Sequence, residues 1–240
     1  MIFDQQEFDI RCEWGLHGAE ILAPLCDAVV VVDVLSFTTA VSVVVNRGGV
    51  VFPYRWKDDS RMDFARKMNA ILAGPRGSGS YSLSPLSLLS VQAGERIVLP
   101  SPNGSTISLA TGDTPTYAGC LRNAKAVAKA VMKHGRRIGV VPCGERWQTD
   151  ASLRPALEDL IGAGAVIAEL NGSRSPEASA AVWAFQGAAG SLQEVLENCS
   201  SGKELIERGH RGDIAITCDL NSDNLAPELV DLSYIPSRDG

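Results

Sequence analysis

Residues 28–39, A-V-V-V-V-D-V-L-S-F-T-T, constrain the fold more than any other stretch of the chain. Four consecutive valines leave no polar face, as expected of a strand inside a parallel sheet covered on both sides. Asp33 breaks the run near its end. Ser36, Thr38 and Thr39 follow, where a helix over residues 37–46 is expected to begin. A carboxylate leaving a buried strand needs a cation, a metal or several hydrogen-bond donors to offset its desolvation. Ligands of open α/β sheets collect beyond the carboxyl ends of the strands. Asp33 is therefore either a site residue or a cap of the following helix.

Further short apolar runs over residues 8–12, 50–54, 96–100, 114–118, 138–143 and 214–218 read as strands. Helical patterns lie between them. One starts at Asp58-Asp59-Ser60 and carries Met62, Ala65, Met68 and Ile71. Others cover residues 121–134, the stretch opened by Pro155, the Ala-rich region 176–198 and residues 201–209. Residues 13–18 read as a turn, and the tail beyond residue 225 as an ordered arm or a mobile end. The alternation predicts an α/β fold, three-layer α/β/α with a mixed sheet, in two lobes. Residues 1–150 would carry the anion-binding loops, and residues 151–240 would form a smaller lobe.

Composition removes several function classes. The chain is 45% hydrophobic and 21% charged, with net charge -6 and scattered basic residues, so no nucleic-acid or membrane surface is indicated. No apolar run is long enough to span a bilayer, and the acidic start M-I-F-D-Q-Q-E-F-D has no leader pattern, so a cytoplasmic location is expected. The 6 cysteines include no C-x-x-C pair, which argues for free thiols rather than a zinc or dithiol site.

Three strand-to-helix junctions offer small or hydroxyl residues: D-V-L-S-F-T-T, S-P-N-G-S-T and P-C-G-E-R-W. Helix N-termini there would favour a phosphate, sulfonate or carboxylate, although such residues also cap helices routinely. No P-loop or G-x-G-x-x-G pattern is present. The acids near the junctions are Asp33, Glu145, Glu158 and Asp159. Magnesium takes oxygen ligands, often one or two carboxylates with water and substrate phosphate, and Asp33 and Glu158 are the expected ligands. Glu158 and Asp159 would otherwise stabilise the helix dipole after Pro155. An aspartyl-phosphate enzyme wants a second acid two residues after Asp33, where Leu35 stands. A cysteine phosphatase wants an arginine six residues after Cys143, where Thr149 stands. A phosphatase on this chain would use metal-activated water. Residues 74–85 are Gly- and Ser-rich with Arg76 the single charge, and read as a connector or as a lid over an anion.

The segments V-V-V-V-D-V-L-S-F-T-T-A-V (29–41), L-P-S-P-N-G-S-T (99–106), C-L-R-N-A-K-A-V-A (120–128) and L-E-D-L-I-G-A-G-A-V-I (157–167) occur in one order. In these the chain resembles the 2-phosphosulfolactate phosphatase family of coenzyme M biosynthesis; G-K-E-L-I-E-R-G (202–209) fits more weakly. The resemblance implies a two-lobed α/β fold, dependence on Mg2+ and a small phosphorylated sulfo-carboxylic acid as substrate. By position it carries over Asp33, Arg76, Asn103, Gly104, Asn123, Gly144 and Glu158. Ser36 stands where the family usually has arginine, and Pro75 where its G-E-R-N-G loop has an acid.

The expected catalytic set is Asp33, Asn103, Glu145 and Glu158. The expected substrate-binding set is Ser36, Thr38, Thr39, Arg76, Asn103, Gly104, Ser105, Asn123, Gly144 and Arg146. Glu145 and Arg146 enter on charge and place alone. Asn103 and Ser105 would hold phosphoryl oxygens, and Arg76 and Arg146 the acidic end of the substrate. The expected activity is magnesium-dependent hydrolysis of a small phosphorylated (sulfo)carboxylic acid. The alternative is a small-anion-binding protein that has lost turnover. The partner is the small acid itself, and a homodimer is compatible with the sequence.

Overall fold

The computed structural model describes residues 2–55, 60–78 and 81–237. The chain begins with strand β1 (Ile10–Cys12), helix α1 (Gly15–Leu22), β2 (Ala28–Val32), α2 (Phe37–Asn46), β3 (Val50–Tyr54), α3 (Ser60–Lys67) and β4 (Ile71–Leu72). It continues through β5 (Arg96–Pro100), α4 (Gly104–Ser108), β6 (Thr116–Gly119), α5 (Ala124–Val131) and β7 (Ile138–Pro142). A short ribbon, β8 (Glu145–Arg146) with β9 (Leu153–Arg154), precedes helices α6 (Leu157–Ala168), α7 (Pro176–Ala188), α8 (Leu192–Asn198), α9 (Ser200–Glu207) and α10 (Arg211–Thr217). Strands β10 (Pro227–Val230) and β11 (Ser233–Pro236) close the chain.

Nine of these strands form one mixed sheet, ordered β1-β7-β2-β6-β10-β11-β3-β5-β4. Helices flank it, giving the expected three-layer α/β/α class. The valine run explains itself at β2, where all five residues are buried. Val30 and Val32 face the cluster formed with α5, α6 and α7, whereas Val29 and Val31 face the cluster with Ala19 of α1 and Ile107 of α4. Alternate side chains enter opposite cores, so every position must be apolar.

The sheet has two parallel blocks, β1-β7-β2-β6 and β3-β5-β4. The C-terminal hairpin joins them through antiparallel pairs, Glu228 opposite Tyr117 and Tyr234 opposite Val51. Three successive antiparallel pairings give the blocks opposite sense. Tyr234 is fully buried, donates to Ser108 Oγ (2.7 Å) and meets the Phe37 ring edge-on at 6.1 Å. The tail thus forms part of the sheet. A boundary at residue 150 would fall inside the β8–β9 ribbon, and the sheet draws strands from both sides of it.

Several local expectations are corrected. Within residues 13–18, expected as a turn, Gly15 to Gly18 open helix α1. Within residues 214–218, expected as a strand, Ile214 to Thr217 lie in helix α10 and Cys218 caps it. A short β-branched run does not distinguish the two by period alone. Here Ile214 and Thr217, three apart, are buried together, and Thr217 Oγ1 donates back to Asp213 O (2.8 Å). Ile71 lies in β4 instead of continuing α3. The helix start expected at Asp58 and Asp59 lies outside the described residues. Among the described residues no helix is long and apolar enough to cross a membrane.

Candidate active site

The turn after β2 is locked by its own hydroxyls. Thr38 Oγ1 donates to Asp33 O (2.8 Å) and accepts from Asp33 N (2.9 Å), and Thr39 Oγ1 donates to Val34 O (2.7 Å). Both threonines are fully buried, so they shape the Asp33 turn rather than face a ligand. The Asp33 carboxylate then takes the place at the start of α2 that an anion was expected to fill. Its Oδ1 accepts from Ser36 N (3.1 Å) and Phe37 N (3.2 Å), and its Oδ2 from Gly104 N (3.1 Å). One carboxylate therefore joins two of the three predicted junctions and brings the carboxyl ends of β2 and β5 together. The third junction, after β7, leads into the β8–β9 ribbon and not into a helix.

Asp159 supports the same turn from α6. Its Oδ1 accepts from Val34 N (2.7 Å) and its Oδ2 from Gly144 N (2.9 Å), both inside the protein. Gly144 has φ +68°, and a Cβ there would lie 2.7 Å from Leu153 Cδ1 and 2.9 Å from Arg154 O. Glycine lets the backbone bring its N–H to Asp159. Glu145 follows, and its Oε2 accepts from Asn103 Nδ2 (3.0 Å). The pair lines a pocket of about 390 Å³ walled by Trp14, Leu16, Ile107 and Leu153. Glu158, one residue before Asp159, is 2% exposed, and Cys199 Sγ donates to its Oε2 (3.4 Å).

These four acids act on one another. Burial raises the Asp33 carboxyl, against the pull of its three N–H donors, and the charge of Glu158 raises it further. Burial, with the charges of Asp33 and Glu158, holds Asp159 well above the usual carboxylate range. Glu145 is pushed up to about 7, first by burial and then by Asp33 and Glu158, with Arg154 partly offsetting them. Asp33 and Glu158, far apart in sequence, are therefore within electrostatic reach of each other.

Because the folded protein binds the Glu145 proton more tightly than the unfolded chain, with its ordinary value of 4.5, the sign of the pH effect is fixed. The stability this supplies is full below that value and is lost as pH rises through about 7. Glu145→Gln should leave the thermal midpoint of metal-free protein close to wild type near pH 4.5 and raise it above wild type near pH 8. Parallel curves for the two proteins in chelator would contradict this.

The oxygen donors suit a hard divalent cation. Among the described residues, however, no three His, Cys, Asp or Glu side chains converge as an all-protein metal cage. Magnesium commonly uses one or two carboxylates and completes its shell with water and substrate phosphate, so this donor set fits it. Both oxygens of Asp159 and both oxygens of Asp33 already serve backbone N–H groups, so a cation at Asp33 would share its oxygens with those donors, whereas among the described residues Glu145 and Glu158 accept through Oε2 only.

The other predicted residues divide by environment. Ser105 Oγ donates to Leu99 O (3.2 Å), and Asn123 bonds Cys120 N (2.9 Å) and Ala118 O (3.0 Å); both are fully buried and tied to backbone. The C-L-R-N segment is structural for a second reason. Arg122 grips Asp223 through two bonds of 2.9 Å, and Ser42 Oγ of α2 donates to the same carboxylate. Arg146 is exposed and donates to Ala151 O (3.1 Å) within the ribbon. Arg76 reaches Ser36 Oγ (2.5 Å) and Asp213 Oδ2 (3.3 Å), and its side chain is 20% exposed.

Cys143 is 2% exposed, and burial together with the charges of Asp33, Asp159 and Glu145 raises its thiol well above the usual range. A thiolate nucleophile is disfavoured there. Cys143→Ala should keep activity within a few-fold of wild type, and iodoacetamide should not label Cys143 in the folded enzyme. Covalent phosphocysteine trapped during turnover would overturn this.

Comparison with known proteins bears on the same segments. A family model described as 2-phosphosulpholactate phosphatase matches residues 20–231. The chain is 30% identical over 210 residues to a protein of Carboxydothermus hydrogenoformans named probable 2-phosphosulfolactate phosphatase, covering 84% of this chain and 85% of that one. It is 30% identical over 161 residues to the 2-phosphosulfolactate phosphatase of Methanothermobacter thermautotrophicus, covering 65% of this chain and 67% of the relative. A matching region that contains the Asp33 turn, the Gly104 junction and the Glu158–Asp159 pair places this chain in the 2-phosphosulfolactate phosphatase family.

Proposed function

We propose that the protein is a phosphoric monoester hydrolase that removes phosphate from 2-phosphosulfolactate, a small phosphorylated sulfo-carboxylic acid, with Mg2+ as cofactor. Family membership supports the reaction class and the substrate. The observation that carries the site is that Asp33, Glu145 and Glu158, after β2, after β7 and at the start of α6, lie within reach of one another's charge.

Asp33 and Glu158 would hold the ion, with Glu145 beside them. When bound, Mg2+ would neutralise phosphoryl charge and acidify a coordinated water. The chain's own part is positioning and proton movement. Glu145, with a carboxyl pushed up to about 7, can accept a proton from an attacking water near neutral pH. Asn103 holds that carboxylate through Nδ2 at a pocket that Trp14, Leu16 and Ile107 also line. Asp159 keeps the Asp33 and Gly144 turns in register from beneath. The product, sulfolactate, would feed coenzyme M formation.

The test is phosphate release from 2-phosphosulfolactate, phosphoglycolate and 4-nitrophenyl phosphate, each with and without Mg2+. Release should be fastest from 2-phosphosulfolactate and should need the metal. No release from any ester would instead favour a non-catalytic anion-binding protein.

A further inference from the structure

Beside the Asp33 turn lies a second pocket, of about 320 Å³, which the acid cluster does not use. It is lined by Arg61 of α3, Arg76, Pro100 at the end of β5, Arg208 and His210. Arg76 is set in place by a buried acid. Its Nε donates to Asp213 Oδ2 (3.3 Å), while Asp213 is 3% exposed and also accepts the Ser84 hydroxyl. Arg208 pairs with Glu204 (2.5 Å). Arg61 differs from both, because its Nε is buried and has no acceptor among the described residues. A buried donor without a partner is disfavoured in a finished structure, and in a pocket it marks where a ligand's acceptor would sit.

The pocket adjoins the acid cluster through one residue. Ser36 accepts from Arg76 Nη2 on one side (2.5 Å), and its N–H donates to Asp33 Oδ1 on the other (3.1 Å). A three-carbon acid can therefore have its phosphoryl group at the carboxylates and a second anion among the arginines. A planar carboxylate is satisfied by one guanidinium fork, whereas a sulfonate offers three oxygens to donors arriving from several directions.

We infer that this pocket binds the substrate's sulfonate, with Arg61 as the specificity-determining residue and Arg76 and Arg208 beside it. The inference rests on the proposed substrate, but its test does not require turnover. Calorimetry would compare 3-sulfolactate, lactate and 2-hydroxyethanesulfonate as ligands. Wild type should bind 3-sulfolactate at least about 10-fold more tightly than lactate, the scale of one charge-assisted contact. The hydroxysulfonate should also bind more tightly than lactate. Arg61→Ala should bring the ratio close to one. Arg61→Lys should keep part of it, because charge remains while the fork is lost. Arg208→Ala, at an exposed position, should lower it without a change in fold.

An unchanged ratio in Arg61→Ala, or lactate bound as tightly as 3-sulfolactate by wild type, would overturn the assignment. Phosphate release separates this from the function itself. A protein inert toward 2-phosphosulfolactate that keeps an Arg61-dependent sulfonate preference would refute hydrolysis alone. One that hydrolyses the ester with no such preference would refute the pocket alone.

Discussion

Asp33→Asn should lower kcat/KM for phosphate release by at least about 100-fold, the upper end of what disturbing a metal-ligand environment costs. Three backbone donors converge on this carboxylate, from Ser36, Phe37 and Gly104. An amide presents only one acceptor oxygen, so its NH2 group must face at least one of these N–H donors. Each hydrogen bond to a charged group is worth about 1.5–3 kcal/mol, and the loop that carries Asn103 would lose its tie to the β2 turn. Affinity for Mg2+ should fall with turnover, because the amide removes a negative charge from the proposed ion site. Initial rates and magnesium calorimetry on the same samples check this. A variant that keeps wild-type rates and wild-type magnesium affinity would make Asp33 a helix cap and nothing more.

The second large effect is expected at Gly104, whose replacement affects the same contact from the other side. A Cβ on Gly104 would lie 2.3 Å from Phe37 Cδ1 and 2.8 Å from Asp33 Oδ2. Phe37 is fully buried against Tyr234 and cannot swing outward freely. Gly104→Ala must therefore push α4 away, displace Phe37 or move the Asp33 carboxylate. Overpacking of this kind costs about 1–3 kcal/mol, which for a chain of this size corresponds to a fall in thermal midpoint of roughly 2–12 °C. Activity should fall further than stability, since the Gly104–Asp33 bond holds the two blocks at the site. Gly187→Ala is the control, because nothing lies within 4 Å of a Cβ there. It should leave the midpoint unchanged or slightly raised. Equal behaviour of the two variants would show that the close approach at Gly104 is not needed.

The strand ending at Asp33 was legible in the sequence because a four-valine run broken by one acid fits few environments besides a covered parallel strand that opens onto a site. The partners of that acid were less visible. Glu158 and Asp159 are neighbours on one helix, and only tertiary pairing distinguishes them. Asp159 receives N–H groups from Val34 and Gly144, while Glu158 points its Oε2 to Cys199. Thr38 and Thr39 looked like ligand hydroxyls because composition does not show which way a side chain bonds, and here they close the turn.

The anion cradle expected at the start of α2 is filled by the chain's own carboxylate, something no local motif announces. Arg61 lies in α3, and Arg208 and His210 lie in the turn between α9 and α10, well over a hundred residues away. Their meeting around Arg76 depends on how α3 and the α9–α10 region fold against the sheet. Helix α10 was hidden for a related reason. Its buried Asp213 binds Arg76 and Ser84, and those long-range bonds are not written in the run I-A-I-T-C.

Hydrolysis at the Asp33 cluster with bound magnesium is tested most directly by phosphate release from 2-phosphosulfolactate after chelation and during stepwise return of Mg2+, in wild type and Asp33→Asn. Chelated wild type should be inactive, and Mg2+ should restore it along a saturating curve. The variant should stay at least about 100-fold below wild type at every concentration. Full activity in chelator, or equal restoration of the two proteins, would contradict this assignment.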